Sequence, residues 1–275
     1  MSNTRILAFI VTYHPDISLL KRNLNSFSEH VDHIIIWDNT PNGDKTVCHI
    51  ANEHARTTYL SEGENRGIAY ALNKAWNAAK AGGYDYLLTM DQDSVWKNFK
   101  QFLSIALSTK LPQCIYGPEV REQRTSKKPI EAVDYVITSG MLVPITILDL
   151  IGGYREDFFV DGIDIEFCLR AKALGIRTYL LPGCHMQQRF GSPRTTFFLG
   201  HHHTSNYPPQ RLREILKTHI IILLHYPCSL ALRKRIIMNY FLKLPLKLIF
   251  LETDKGKKFK AFFQGIRDGL HGSSR

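Results

Sequence analysis

Two acidic clusters carry the chemistry of this 275-residue chain. The first is Asp91-Gln92-Asp93. Carboxylates at i and i+2 on an extended segment point the same way. At a strand end they can share one hard divalent cation, Mg²⁺ or Mn²⁺, and the ribose of a nucleotide. Such a cation takes few protein carboxylates and completes its shell with water and phosphate oxygens, so it can neutralise a leaving diphosphate. The second cluster is Asp161-Gly162-Ile163-Asp164-Ile165-Glu166. A carboxylate here can take the proton of an attacking hydroxyl. Asp164 opens a helical stretch, where a helix N-terminus stabilises its charge. Alternatively Asp161 or Asp164 only caps the helix, and Glu166 pairs with Arg170 at i, i+4.

Smaller signals surround these clusters. Asp38 follows an apolar run and can accept from a base or ribose, or can close an Asx-turn. Asn65 and Gly67 precede an alanine-rich helix, where a side chain can touch a nucleotide and backbone can approach it, or where they form a plain N-cap. His185 follows Pro182-Gly183 and can meet metal or diphosphate. Three adjacent side chains do not readily converge on one ion, so His201-His202-His203 reads as a polar loop.

The elements that must position these residues follow from hydrophobic pattern. Residues 5–12 (RILAFIVT) and 33–37 (HIIIW) are continuous apolar runs and predict buried parallel strands. Short strands are expected at 57–60 and 84–90, with helices over 17–30 and 67–81 and a polar helical stretch between 43 and 57. Gly82-Gly83 ends the 67–81 helix. Alternating strands and helices predict a doubly wound sheet. Ligands bind beyond the carboxyl ends of such strands, so Thr12-Tyr13, Asp38-Asn39 and Asp91–Asp93 should converge on one crevice. Strands are expected at 113–117, 133–143 and 177–181, the last ending at Pro182-Gly183. A basic loop spans 121–128, and a helix 164–174. From Pro208 onward the pattern is helical and amphipathic.

Composition narrows the class further. Five cysteines without a C-x-x-C spacing argue against a disulfide framework or a structural zinc site and fit a reducing compartment. The N-terminus lacks a signal-peptide layout, and no apolar run reaches the roughly 18 residues of a membrane span. The net charge of +10 is confined to the tail: residues 211–275 hold 14 Lys and Arg against 4 Asp and Glu, and the first 210 residues hold 21 of each sign. Basic residues interleaved with apolar ones from Arg233 to Lys260 fit an interfacial helix against anionic headgroups. Packed helices with solvated basic faces, or contact with nucleic acid, are the competing readings.

The segments VTYHP (11–15), IIIWDNTPN (34–42), ENRGIAYALNKAWNAA (64–79), LLTMDQDS (87–94), VDYVITSGMLVP (133–144), GGYREDFFVDGIDIEFCLRAKALG (152–175) and FKAFFQGIRDGLHG (259–272) resemble the family 2 inverting glycosyltransferases of GT-A fold, and within them bacterial rhamnosyltransferases. The resemblance implies an α/β GT-A domain with a mostly parallel central sheet. That domain would span residues 1–207, with a nucleotide half (1–94) and an acceptor half (95–207), followed by a helical extension (208–275). It implies that Thr12, Tyr13, Asp38, Asn65 and Gly67 line the nucleotide pocket, with Gln92 between the two aspartates. Asp91 would meet ribose or metal-bound water, Asp93 the metal, and Ser139-Gly140 the place where donor sugar and acceptor meet. Asp164 would be the general base. Ile163 stands where the family carries a glutamate, which leaves Glu166 open as the base. The implied donor is dTDP-L-rhamnose and the implied acceptor a lipid-linked glycan, at the inner face of the cell membrane. A UDP-sugar donor is an alternative. A nucleotidyltransferase would need a Gly- and Lys-rich N-terminal loop, which residues 10–16 lack. A non-catalytic nucleotide-sugar binder is the remaining rival.

Overall fold

A computed structural model describes residues 4–108, 113–120, 128–188, 194–197, 201–204 and 206–272. The first half alternates as expected: β1 (Ile6–Thr12), α1 (Ile17–Asn25), β2 (His33–Asp38), α2 (Lys45–Glu53), β3 (Thr57–Ser61), α3 (Ile68–Ala81) and β4 (Tyr86–Asp91). Asp16 and Asp44 cap α1 and α2 through their side chains, supplying acceptors to otherwise orphaned N–H groups. Gly82 closes α3.

The second half holds β5 (Ser94–Trp96), α4 (Phe99–Ser108), β6 (Ile115–Glu119), β7 (Glu131–Val133), β8 (Met141–Pro144), α5 (Ile145–Ile151), α6 (Ile163–Ala173) and β9 (Thr178–Gln188). The main sheet runs β3-β2-β1-β4-β8-β6-β9-β5, with β7 paired to β9. β3-β2-β1-β4 is parallel throughout, whereas β8 joins antiparallel to both β4 and β6. The result is an α/β sheet whose parallel half is built by residues 6–91. Side chains alternate across it into two cores, one holding Phe9, Leu87 and Phe167 and the other Ile10, Ile36 and Phe102.

Three expectations are corrected. The 133–143 run is two strands, β7 and β8, with different partners, because the chain turns at Ser139-Gly140, where Gly140 has φ +78. β9 does not end at Pro182-Gly183 but continues to Gln188. The register shifts between Pro118 and Glu119, so that Leu181 faces Pro118 and His185 faces Glu119. This bulge takes up Pro182, which has no N–H for the ladder. Residues His201–Thr204 are not a loop but strand β11, antiparallel to β10 (Arg194–Phe197). Of the basic loop, residues 121–127 lie outside the described residues.

The chain closes with α7 (Pro209–His225), α8 (Leu230–Ile236), a π-helical stretch (Ile237–Lys243), α9 (Leu244–Phe250) and α10 (Lys255–Leu270). These helices are not an independent tail. Ile221, Ile222, Leu232 and Ile236 share the core of α6, and α10 lies close on α7, where a Cβ on Gly265 would come within 2.6 Å of the Arg213 carbonyl. Nor is the basic run 255–260 wholly solvated. Lys258 is 2% exposed; its Nζ reaches Glu252 at 2.8 Å and Asn206 at 2.6 Å. Removing one partner of a buried ion pair strands the other. Lys258→Ala should therefore destabilise the protein by about 3–5 kcal/mol, measured as a shift in urea midpoint. An unchanged midpoint would refute this role.

Candidate active site

Strand register brings the ends of β1, β2 and β4 side by side. At the end of β1, Thr12 lies beside Asp38 of β2 and Val11 beside Asp91 of β4. Each strand stops where its apolar run stops, so residues far apart in sequence meet at one edge.

Asp38 is 0% exposed. Its Oδ1 accepts from Thr12 Oγ1 (3.2 Å) and from the Thr40 N–H (2.9 Å), an Asx-turn. Its Oδ2 accepts from the Asp44 N–H (2.7 Å) and the Tyr59 hydroxyl (2.8 Å). Burial alone would raise its pKa, but the bonds from Thr40, Tyr59 and Asp44 outweigh that and hold it below its ordinary value. Burial and the same bond push Tyr59 up to about 12. Within the described residues Asp38 thus shapes the 38–44 loop. Tyr13 presents its ring to solvent. Its backbone is clamped by the side chain of Gln92, which accepts from the Tyr13 N–H (2.6 Å) and donates to its carbonyl (3.2 Å).

Asn65 is exposed and accepts from the Gly67 N–H at 3.0 Å. Gly67, at φ +87, begins α3, and a Cβ there would lie 2.9 Å from the Phe159 ring. Its carbonyl accepts from Asn39. The N-cap and the nucleotide-side expectations therefore fall on the same turn.

Asp91 ends β4, and Gln92-Asp93 form the turn into β5. The Asp91 N–H donates to Ser139 Oγ, which itself donates to Ser94 Oγ (2.7 Å), and Gln188 Nε2 donates to Asp91 Oδ2 at 2.5 Å. Asn23 donates to the carbonyls of Asp91 and Ser94. Ser139 is fully buried, and a Cβ on Gly140 would strike Pro118 and Trp96. This pair braces the Asp91 turn from beneath. Asn23 and Gln188 went unrecognised in the sequence. A polar residue at an otherwise apolar helix position and one at the end of a strand were the available signals.

Asp164 lies in the first turn of α6, behind Gly162, and its Oδ1 accepts from the Ile165 N–H at 2.9 Å. It borders a cavity of about 1290 Å³ together with Asp161, Lys172, Arg235 and Tyr240. Glu166, by contrast, is 0% exposed; Arg170 grips it at 2.6 and 2.9 Å, and the Tyr226 hydroxyl donates at 2.7 Å. The i, i+4 pairing thus accounts for Glu166. Asp161 pairs with Arg211 at 3.2 Å. His185 lies 3.6 Å from Glu119, and it is Gln188, three residues on, that reaches Asp91.

Electrostatics bind the clusters together. Burial raises Asp91 to about 7, and Asp93, Asp164 and Asp161 push it further in that direction while Gln188 opposes. Burial raises Asp164 to about 7, with Asp161 adding and the Ile165 N–H and Arg235 opposing. Mutually repelling carboxylates in a crevice are hard oxygen donors suited to Mg²⁺ or Mn²⁺. Among the described residues no three His, Cys, Asp or Glu side chains gather closely enough to hold a metal by themselves.

A carboxyl raised on folding binds more protons folded than unfolded, so Asp91 makes stability fall as pH climbs from 3.8 to about 7. Asp91→Asn, which retains an acceptor for Gln188, should raise the melting temperature in chelator. The gain should be larger at pH 8 than at pH 5. An equal gain at both values would show that its charge is not the cost.

The chain is similar to several known proteins. Residues 8–103 match the model of the family described as glycosyl transferase family 2. The chain is 23% identical to dTDP-rhamnosyl transferase RfbF of Shigella flexneri over 293 aligned positions, covering 98% of this chain and 97% of that protein. Among solved structures, GalNAc-T7 with UDP, GalNAc and Mn²⁺ superposes with a TM-score of 0.60 at 12% identity, covering 98% of this chain and 57% of the other. S. aureus TarS 1–349 in complex with UDP-GlcNAc gives 0.54 at 14% identity, covering 96% and 82%. The chain spans about half of full TarS, 49% of its length, with a TM-score of 0.54. These likenesses establish the GT-A fold.

Proposed function

We propose that this chain is a family 2 glycosyltransferase that moves L-rhamnose from dTDP-L-rhamnose to a hydroxyl of a lipid-linked glycan with inversion at the anomeric carbon. The rhamnose donor is supported by the similarity to RfbF along nearly the whole chain. In this reading residues 1–94 hold the nucleotide, 95–207 the acceptor and the base, and 208–275 the approach to an anionic membrane surface on the cytoplasmic side.

The observation that carries the reaction type is the contrast between Asp164 and Glu166. Asp164 faces a cavity large enough for an acceptor sugar, whereas Glu166 is locked by Arg170 and Tyr226. Asp164 accepts the acceptor hydroxyl's proton while the freed oxygen pair forms the new bond to the anomeric carbon. The bond from that carbon to the donor's phosphate oxygen breaks, and the nucleoside diphosphate leaves with its electron pair. Mg²⁺ or Mn²⁺, held by Asp93 and Asp91, would supply charge neutralisation to the diphosphate. Tyr13 offers an exposed ring for the base, with Thr12, Asp38, Asn65 and Gly67 around it. Ser139, Gly140 and Gln92 keep the turn in place. His185 contributes to diphosphate or metal contact only if β9 shifts it from Glu119.

Asp164→Asn should abolish transfer, by a factor of 10² or more given the usual worth of a general base, with nucleotide affinity retained in calorimetry. Transfer at near wild-type rate would remove Asp164 as base. Because Asp164 must be ionised to accept a proton, wild-type turnover should rise as pH passes through about 7. A flat profile from pH 6 to 8 would contradict this.

A second reading, a UDP-sugar donor, draws on the TarS complex with UDP-GlcNAc. Turnover of a panel of dTDP- and UDP-sugars separates the two.

A further inference from the structure

Among the described residues, the C-terminal helices leave a run of apolar side chains exposed. From Leu230 to Phe250 the chain is helical without a break: α8, the π-helical stretch, then α9. Its inward side is Leu232, Ile236, Tyr240, Leu244 and Leu248, all packed against the cores. That seam repeats every four residues. An α-helix with 3.6 residues per turn carries such a seam steadily around its axis, whereas the wider turns of a π-helix slow the drift. The π-helical stretch therefore lets one side stay inward over the whole run. It equally keeps the opposite side outward. There Leu230, Met238, Leu242, Leu246 and Ile249 are exposed, Leu230 at 86%. Lys234 and Lys243 are exposed along the same run, next to Arg233.

The inward side has a second neighbour. Leu232, Arg235, Ile236, Asn239 and Tyr240 line the cavity that Asp164 borders. One helical run is thus the wall of the cavity on one side and an apolar, basic-flanked stripe on the other. A helix is about 10–12 Å across, so whatever covers the stripe lies within that distance of the cavity.

We infer that the outer stripe of residues 230–250 docks on an anionic lipid surface, which sets the cavity wall at the bilayer and lets a lipid-carried acceptor reach Asp164 from the membrane. The inference rests on the acceptor class proposed above and supplies the surface that would present it. Charge decides between occupants. The region 211–275 carries the whole net charge of +10. A second copy would bring an equally basic surface and be repelled, whereas anionic headgroups attract it while the acyl layer takes the leucines. No described helix is long and apolar enough to cross the bilayer, in keeping with a helix that lies in the interface.

The test uses the full chain and sedimenting vesicles of phosphatidylglycerol with phosphatidylcholine, or phosphatidylcholine alone. Wild type should partition at least tenfold more onto the anionic vesicles. The Leu242→Ser/Leu246→Ser/Ile249→Ser variant, altered only at exposed positions, should lose at least tenfold of that partition. Its turnover of nucleotide sugar in solution should match wild type. Lys234→Glu/Lys243→Glu should lose the preference for anionic vesicles. The inference is overturned if wild type does not sediment, if the serine variant sediments equally, or if light scattering shows a wild-type dimer that the variant breaks. Failure of vesicle binding with donor turnover intact sinks only the docking surface. Absence of donor turnover sinks the enzymatic reading itself.

Discussion

The charges of Asp93, Asp164 and Asp161 oppose ionisation of Asp91, and that of Asp161 opposes ionisation of Asp164. Burial is the larger cost of ionising Asp91 and Asp164, and the neighbouring aspartates add to it. The fold meets this with fixed donors: Gln188 on Asp91, the Ile165 N–H on Asp164, Arg211 on Asp161. These offsets are partial, since Asp91 and Asp164 remain near 7. An acidic cluster left in that condition is poised for a positive partner, and it costs the protein stability at neutral pH.

Holding the cluster open requires rigid ground beneath it. Ser139 and Ser94 form a buried hydroxyl chain under the Asp91 N–H, and Gly140 admits Pro118 and Trp96 where any side chain would collide. At the end of β2 Asp38 gathers Thr12, Thr40, Asp44 and Tyr59 around a buried charge. On the other side Glu166, Arg170, Tyr226 and Arg155 tie α6 to the end of α7. The C-terminal helices are thereby part of the same body that carries Asp164.

Much of this was legible in the residues. Continuous apolar runs such as 33–37 have one stable home, the middle of a parallel sheet, and the polar residues that end them are then placed at its edge. Convergence of Thr12, Asp38 and Asp91 followed from local pattern alone. The course of β9 did not. Pro182-Gly183 reads as a stop, and only the bulge opposite Pro118 allows the strand to run on to Gln188. The histidine run at 201–203 likewise reads as loop, because strand pairing between β10 and β11 depends on a partner rather than on its own composition.

The sequence by itself determined the alternating α/β order, the two acidic clusters and the basic tail, because these depend on periodicity and charge along the chain. Tertiary structure decided what each carboxylate is free to do. Asp38 and Glu166 are as acidic in sequence as Asp164, yet buried partners occupy the first two while Asp164 borders the cavity. That difference arises from residues 21 to 60 positions away, such as Tyr59 and Tyr226. Contacts at that separation form only when the strands and helices pack, and no local pattern encodes them.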